Sequence, residues 1–238
     1  MRHFSFIHSV VVCILVGIAM PSQAETVNST SELLNNKRTA GYVFARSLNE
    51  KLYKLGVEQD RKFGLQLDCK TQYRVEPYSV SIFQPIDFPD DKQHPTKGVW
   101  NFRYQLQRCG DSKFYNVVFI ASGTGESPPQ SQSFYPGNTN ADPVLIKDAM
   151  PGAVMNASLR TETKDCKDLD VFDMKVTQPP HDIVEGDRTH KGVWKEVWTL
   201  KLCGQMVDVG LTFVPDPIRG GIHFATDPVK PGTGTKTP

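Results

Sequence analysis

The sequence predicts an α+β protein built from two tandem copies of one unit, each a helix followed by a small antiparallel β-sheet meander and closed by one disulfide within the copy. The string Lys-Gly-Val-Trp occupies 97–100 and recurs at 191–194, each time eight residues ahead of a Cys-Gly pair. Both features recur 94 positions apart. A repeat of this kind indicates a duplicated structural unit, and residues that alternate between apolar and polar around it predict strands.

The first 24 residues have the composition of a signal peptide. Arg2 precedes an apolar run from 4 to 20, and small residues lead to the predicted cleavage after Ala24. The remaining 214 residues carry 26 basic and 26 acidic side chains. This balance disfavours nucleic acid or an anionic membrane surface as the main partner. We therefore expect a bacterial periplasmic or secreted protein without a membrane span after cleavage.

The first copy begins with a predicted helix from about 30 to 55. Residues 29–32 have the form of a capping box, and Gly56 stands where a helix commonly ends. Apolar residues recur every four positions between these signals, at Ala40, Phe44, Leu48 and Leu52. The stripe needs a partner, which the downstream change to a period of two predicts to be a sheet.

The repeated string opens the clearest strand in each copy. In the first copy alternate positions are apolar, namely Trp100, Phe102, Tyr104 and Leu106. In the second copy the shared face contains Trp194, Trp198, Leu200 and Leu202, with Glu196 as an interruption. A further strand follows in each copy, and Gly220-Gly221 predicts a turn into a short last strand. We interpret the tryptophans as core residues rather than as a sugar-stacking platform.

The second copy also begins with a helix signal. Asp142 can cap the helix and Pro143 suits its first turn, whereas Pro151 is expected to break or kink it. The predicted boundaries are a signal peptide 1–24, a first repeat 25–121, a Pro/Ser/Gly-rich linker 122–142, a second repeat 143–226 and a disordered tail 227–238.

Four cysteines remain after cleavage, two in each copy. In an exported chain they predict disulfides, favoured as Cys69 to Cys109 and Cys166 to Cys203, because each pair brackets a hairpin. A metal site is disfavoured because no pair has CxxC spacing. The two cysteines of a pair have opposite strand parity, so each copy needs a bulge or a cysteine just outside the ladder.

The Gly-Val-Trp string, the Cys-Gly pair and the apolar strand that ends in 213–215 resemble a group of uncharacterised secreted or periplasmic proteobacterial proteins. The likeness is strongest from about Lys191 to Phe224. The first copy departs from the pattern with Tyr104 in place of Trp198 and without a Gly-Gly turn. The resemblance implies export and brings no known activity or catalytic residue.

Polar residues in the two predicted hairpin loops are the candidate site. Carboxylate and imidazole groups can bind a metal, although polar residues also collect in loops for solvation alone. The candidates are Asp91 and His94 in the first loop and His181, Asp187 and His190 in the second. No cofactor motif is found, since Gly123-x-Gly125 is too short to bind phosphate.

Two function classes follow from these residues. We expect a non-enzymatic binding protein whose partner is a protein, an envelope component or a glycan; its oligomeric state is open. The alternative is a metal-assisted hydrolase that uses His and Asp of the loops. We also expect the copies to pack together and to bury Trp194 and Trp198, because only a Pro-interrupted helix is predicted to cover the second sheet.

Overall fold

The computed structural model describes residues 33, 36–65, 74–161, 166–218 and 220–229. Its strands form two four-stranded antiparallel meanders, β1-β2-β3-β4 and β5-β6-β7-β8, and helices precede each sheet. The α+β class and the antiparallel sheets are confirmed. In chain order the elements are α1 (Lys37–Val43), α2 (Arg46–Phe63), β1 (Arg74–Asp87), β2 (Lys97–Arg108), β3 (Asp111–Ser122), β4 (Gln130–Phe134), α3 (Pro143–Thr161), β5 (Leu169–Glu185), β6 (Arg188–Leu202), β7 (Gln205–Pro215) and β8 (Ile222–Thr226).

The two sheets repeat each other in their packing. Trp100 lies opposite Phe119 in the β2–β3 ladder, and the rings stack with centroids 5.4 Å apart. Trp194 lies opposite Phe213 in the β6–β7 ladder, and those rings stack with centroids 4.9 Å apart. In both pairs the ring planes are inclined by 12°. The repeated sequence therefore produces the same aromatic pair at the same place in each sheet.

The Cys-Gly pairs form the tight turns that join the two central strands of each sheet. Cys109 and Cys203 have φ values of 40° and 45°, and the glycines that follow them have φ values of 84° and 82°. Two successive residues with positive φ give a type I′ turn, which matches the twist of a hairpin. Glycine at the second position relieves strain that a side chain would add there.

The helical part of the first copy differs from the single helix that was expected. The chain leaves the helix at Phe44 and Ala45, and α2 then continues to Phe63, where Gly64 caps it with a φ of 71°. The prediction that the helix ends at Gly56 is therefore wrong. Gly56 is buried within α2, and a Cβ there would lie 2.9 Å from Leu106 Cδ2. Glycine allows the helix to approach the sheet closely; the expected capping box lies outside the described residues.

Helix α3 covers the second sheet more fully than the sequence suggested. The Asp142 side chain caps it by accepting a hydrogen bond from Leu145 N at 2.8 Å, as expected. The helix then passes through Pro151 without ending and continues to Thr161. Its buried apolar residues join Trp194 and Trp198 in the second core. The tryptophans are thus covered by the helix of their own copy, and Phe134 of β4 also packs against that core.

The segment interpreted as a linker contains a strand. Residues 130–134 form β4, which pairs with β3 at the edge of the first sheet, for example through Phe119 opposite Ser131. Its polar sequence Gln-Ser-Gln-Ser is typical of a solvated edge strand. Both sheets therefore have four strands, and the last strand of the first sheet leads directly into the connection to α3.

One predicted disulfide is complete within the described residues: Cys166 is joined to Cys203. Cys203 sits in the β6–β7 turn and Cys166 precedes β5, so both lie outside the ladder, which resolves their conflict of parity. Cys109 is also disulfide-bonded. Cys69 lies outside the described residues, and its bridge to Cys109 stays a prediction.

The copies meet through a small mixed interface. Phe63 at the end of α2 contacts Phe172 of β5 with ring centroids 5.4 Å apart, and Lys113 Nζ lies 3.6 Å from the same Phe172 ring centroid. Asn138, between β4 and α3, forms an isolated parallel bridge with Lys175 of β5. Each sheet nevertheless has its own apolar core, and among the residues that the structure describes only Phe134 of the first sheet packs against the second core.

Candidate binding site

The first predicted loop is folded against α1. The Tyr42 hydroxyl and His94 Nδ1 are 2.8 Å apart, and the two rings meet edge to face. The Arg38 guanidinium stacks on Phe88 with 3.6 Å between its central carbon and the ring centroid. Asp91 is exposed, with Oδ2 lying 3.6 Å from Lys92 Nζ. His94 is therefore held in a packed connection, while Asp91 faces solvent.

The second predicted loop is a strand ribbon. Strands β5 and β6 continue to a two-residue turn at Gly186-Asp187, so His181 and His190, which were expected in a loop, lie in strands. Repeated register shifts between β5 and β6 and two prolines in β5 obscure the period of two in this part of the sequence. His181 pairs with Val193 and His190 with Ile183, while Asp187 stands in the turn. Within the described part of the chain, no three His, Cys, Asp or Glu side chains gather as a metal site.

An open apolar groove of about 760 Å³ lies where the end of β4 faces α3. Phe134 and Tyr135 line it from the first copy, and their rings are tilted against each other with centroids 4.8 Å apart. The helix contributes the remaining lining residues, which are Pro143, Lys147, Met150, Pro151, Val154 and Met155. Among the described residues that line the groove, Lys147 is the one charged side chain. The groove therefore joins both copies and combines an apolar floor with a single cation.

Helix α3 presents apolar side chains to both the core and the solvent. Its inner face includes Ile146, Ala149 and Ala153, which are fully or almost fully buried. Its outer face carries Met155 with 65% of its surface exposed, and Val144 and Leu159 are similarly exposed at 57% and 61%. A surface helix ordinarily carries polar residues on its outer face. An exposed apolar stripe beside a groove marks a surface for interaction.

The connection that shapes this groove is anchored by a buried carboxylate. Glu196, only 1% exposed, lies on the core face of β6 between the two tryptophans. It accepts hydrogen bonds from Trp194 Nε1 at 2.9 Å and Trp198 Nε1 at 2.7 Å. It also accepts bonds from Thr139 Oγ1 at 2.6 Å and Asn140 N at 2.8 Å. Four donors satisfy the carboxylate and fix the chain just before α3.

The first copy holds the same connection from the other side. Arg103 of β2 donates to Asn138 Oδ1 at 2.5 Å and to the Thr139 carbonyl at 2.8 Å, and burial lowers its pKa. Asn116 Nδ2 donates to the carbonyls of Tyr135 and Gly137, each at 2.8 Å. A Cβ at Gly137 would lie 2.2 Å from the Met174 carbonyl oxygen, so only glycine fits. These contacts set the distance between the aromatic and helical sides of the groove.

A second polar cluster lies within the first copy, at the end of its sheet. Asp60 of α2 accepts a hydrogen bond from the Tyr115 hydroxyl, and its Oδ1 is 3.3 Å from Arg108 Nη1. Burial raises the pKa of Asp60 despite these two partners. Burial also lowers the pKa of Lys113 to about 8. The cluster ties α2 to β2 and β3.

Sequence reasoning missed the groove because it needs β4 and the full length of α3 together. Glu196 was noticed only as an interruption of an apolar face. A charged residue at a core position of a strand is a usable signal, since such a residue must find buried donors. Nothing in the sequence identified those donors as the connection at 139–140.

Comparisons with known proteins give no match to a family model, to a curated protein or to a solved structure. Among the residues described, none of the helices is both long enough and apolar enough to cross a membrane.

Proposed function

We propose that this chain is an exported, non-enzymatic binding protein and that the groove between Phe134 and α3 is its binding surface. The observation that carries the proposal is the apolar outer face of α3 beside a groove of about 760 Å³. This volume falls within the range of small-molecule sites, which are mostly apolar with a few placed polar groups. Met150 and Met155 add side chains that adapt to the shape of a ligand.

The construction of the connection supports the same proposal. Arg103 from the first copy and Glu196 from the second both bind the segment between β4 and α3. A site held by rigid elements loses little conformational entropy on binding, so its affinity is greater. The two copies then act as a frame for one surface that neither contains alone.

Export is part of the proposal. The leader-like first 24 residues, the likeness of the second copy to secreted or periplasmic proteobacterial proteins and the Cys166–Cys203 disulfide all favour an oxidising compartment. The alternative of a metal-assisted hydrolase gains no specific support, because His94 and the three ribbon residues occupy separate elements without a shared cluster.

Site-specific photo-cross-linking in cells that export the protein tests this function. Met155→benzoylphenylalanine places the probe at the groove, and Met206→benzoylphenylalanine places it on another exposed methionine, 49% exposed on β7. We expect an adduct from position 155 that is absent from position 206. Equal labelling at both positions, or labelling at neither, would argue against the groove as a binding surface.

A further inference from the structure

We propose that the groove binds a free, single-chain anionic amphiphile, a long-chain carboxylate whose acyl chain lies along α3 and whose head group pairs with Lys147. This inference rests on the proposed function and specifies the class of ligand for that same surface. It combines the apolar lining, the position of one cation and the size of the groove.

The lining gives the ligand its apolar part. Of the residues along the groove, Phe134, Met150 and Val154 offer aromatic and aliphatic surface that also packs against the second core. Met155 extends the same surface outward. An acyl chain gains free energy with each methylene that leaves water, and it can bend to follow an open groove.

Lys147 gives the ligand its charge. It is exposed, and within the described part of the chain no salt bridge involves it. Its neighbour Asp148 does not line the groove. A lone ammonium at the edge of an apolar surface complements a carboxylate and repels a cationic head group.

The size of the groove suits a small ligand. Its volume of about 760 Å³ lies within the range of small-molecule sites. The ammonium is also single, so it matches one charged head group better than an acidic peptide. These features favour the free amphiphile.

Methyl NMR of the full-length exported protein can read the site directly. Of the four methionines beyond the leader, Met150 and Met155 line the groove, whereas Met174 is buried and Met206 is exposed on β7. The probes are decanoate, dodecanoate and dodecyltrimethylammonium below their micelle concentrations, and dodecanol below its solubility limit. We expect saturable shifts of Met150 and Met155 with the carboxylates, with affinity rising by up to about fourfold per methylene. Dodecanol should bind more weakly and the cationic amphiphile most weakly.

Matched variants separate the head-group contact from the apolar one. Lys147→Gln should weaken dodecanoate binding by about threefold to tenfold and leave dodecanol binding unchanged, because only the charged pair is lost. Lys191→Gln, at an exposed lysine of the β6 ribbon, is its control and should change neither. Met155→Glu should abolish carboxylate binding without affecting the fold, since this side chain is mostly exposed; Met206→Glu is its control.

Three results would contradict a long-chain carboxylate as the ligand. Equal affinity for all three head groups, shifts that include Met206, or no shift at all would each overturn it. If dodecanoate fails while cross-linking from position 155 persists, the groove binds a partner of another class and only the ligand assignment is lost. If cross-linking also fails, the proposed function falls with it.

Discussion

Two residues after the stacked tryptophan, the first copy has Phe102 and the second has Glu196, at equivalent positions of β2 and β6. Glu196 supplies acceptors for Trp194 and Trp198 and for the connection at 139–140. Phe102 supplies none, and Trp100 Nε1 is buried without a hydrogen-bond partner among the described residues. The same strand thus serves as an apolar layer in one copy and as an anchor for a connection in the other.

At the other end of each sheet the first copy contains the buried charged residues and the second copy is apolar. Here the first copy buries Arg108, Lys113 and Tyr115 around Asp60 of α2. The equivalent residues of the second copy are apolar, namely Leu202, Val207 and Val209. A duplicated backbone therefore tolerates buried charge at different layers, provided that a neighbouring element supplies the partners. In the first copy this element is α2, and in the second it is the connection that shapes the groove.

Replacing Glu196 gives the largest expected effect. Glu196→Ala leaves two indole N–H groups, a hydroxyl and a backbone N–H without their acceptor in the core, so we expect a loss of about 3–5 kcal/mol in the free energy of unfolding. Denaturant titration followed by tryptophan fluorescence measures it. Glu126→Ala, at an exposed residue paired with Lys92, is the control and should cost less than about 0.5 kcal/mol. Equal effects would show that Glu196 anchors nothing.

Removing the disulfide of the second copy should have the next largest effect on the free energy of unfolding. The double variant Cys166→Ser, Cys203→Ser removes the cross-link between two residues with a sequence separation of 37. From the chain-entropy model, we expect its loss to lower the free energy of unfolding by about 3–4 kcal/mol. Denaturant titration of the variant beside the oxidised parent measures the loss. A peptide map of the parent that links Cys166 to a residue other than Cys203 would refute the predicted pairing.

The strands were predictable because each sheet buries one face against its own helix, which imposes a clear period of two on Trp100 to Leu106. The Cys-Gly pairs follow both strands and form a turn in each copy, although neither pair was predicted to be a turn. The ends of the helices were not predictable. Gly56 is required for close packing inside α2, and a sequence does not distinguish such a glycine from one that ends a helix. Pro151 is likewise accommodated within α3, whose other turns pack on the sheet.

The candidate site was less predictable than the fold. Strand β4 is short and polar, so its sequence resembles a linker, and its identity as a strand depends on pairing with β3. The groove then follows from tertiary contacts of Arg103 and Glu196 with residues that are distant in sequence. The candidates His181, Asp187 and His190 were chosen for their chemistry, but β5 and β6 place them along a ribbon.

Lys113 of the first copy should give the free energy of unfolding a pH dependence that its counterpart in the second copy, Val207, cannot give. Burial holds the pKa of folded Lys113 at about 8, below its unfolded value of 10.5. Its contribution to stability is therefore present above the unfolded pKa and is lost as pH falls through the folded pKa. We expect the free energy of unfolding to decrease by at most about 2–3 kcal/mol between pH 10.5 and pH 8. Lys113→Met should remove this part of the profile; an unchanged profile would show that Lys113 is not the titrating group.

The smallest expected change in the free energy of unfolding comes from substituting one helical glycine in each copy. A Cβ at Gly152 of α3 would have no neighbour closer than 3.8 Å, whereas at Gly56 of α2 it would lie 2.9 Å from Leu106 Cδ2 and 3.1 Å from the Tyr104 hydroxyl. Gly152→Ala should therefore raise the free energy of unfolding by about 0.5–1 kcal/mol through helix propensity. Gly56→Ala should lower it by about 1 kcal/mol, because the crowded Tyr104 donates a hydrogen bond to the Leu52 carbonyl and overpacking outweighs the gain in propensity. Parallel denaturant titrations measure both signs, and stabilisation by both substitutions would show that α2 can move away from its sheet without cost.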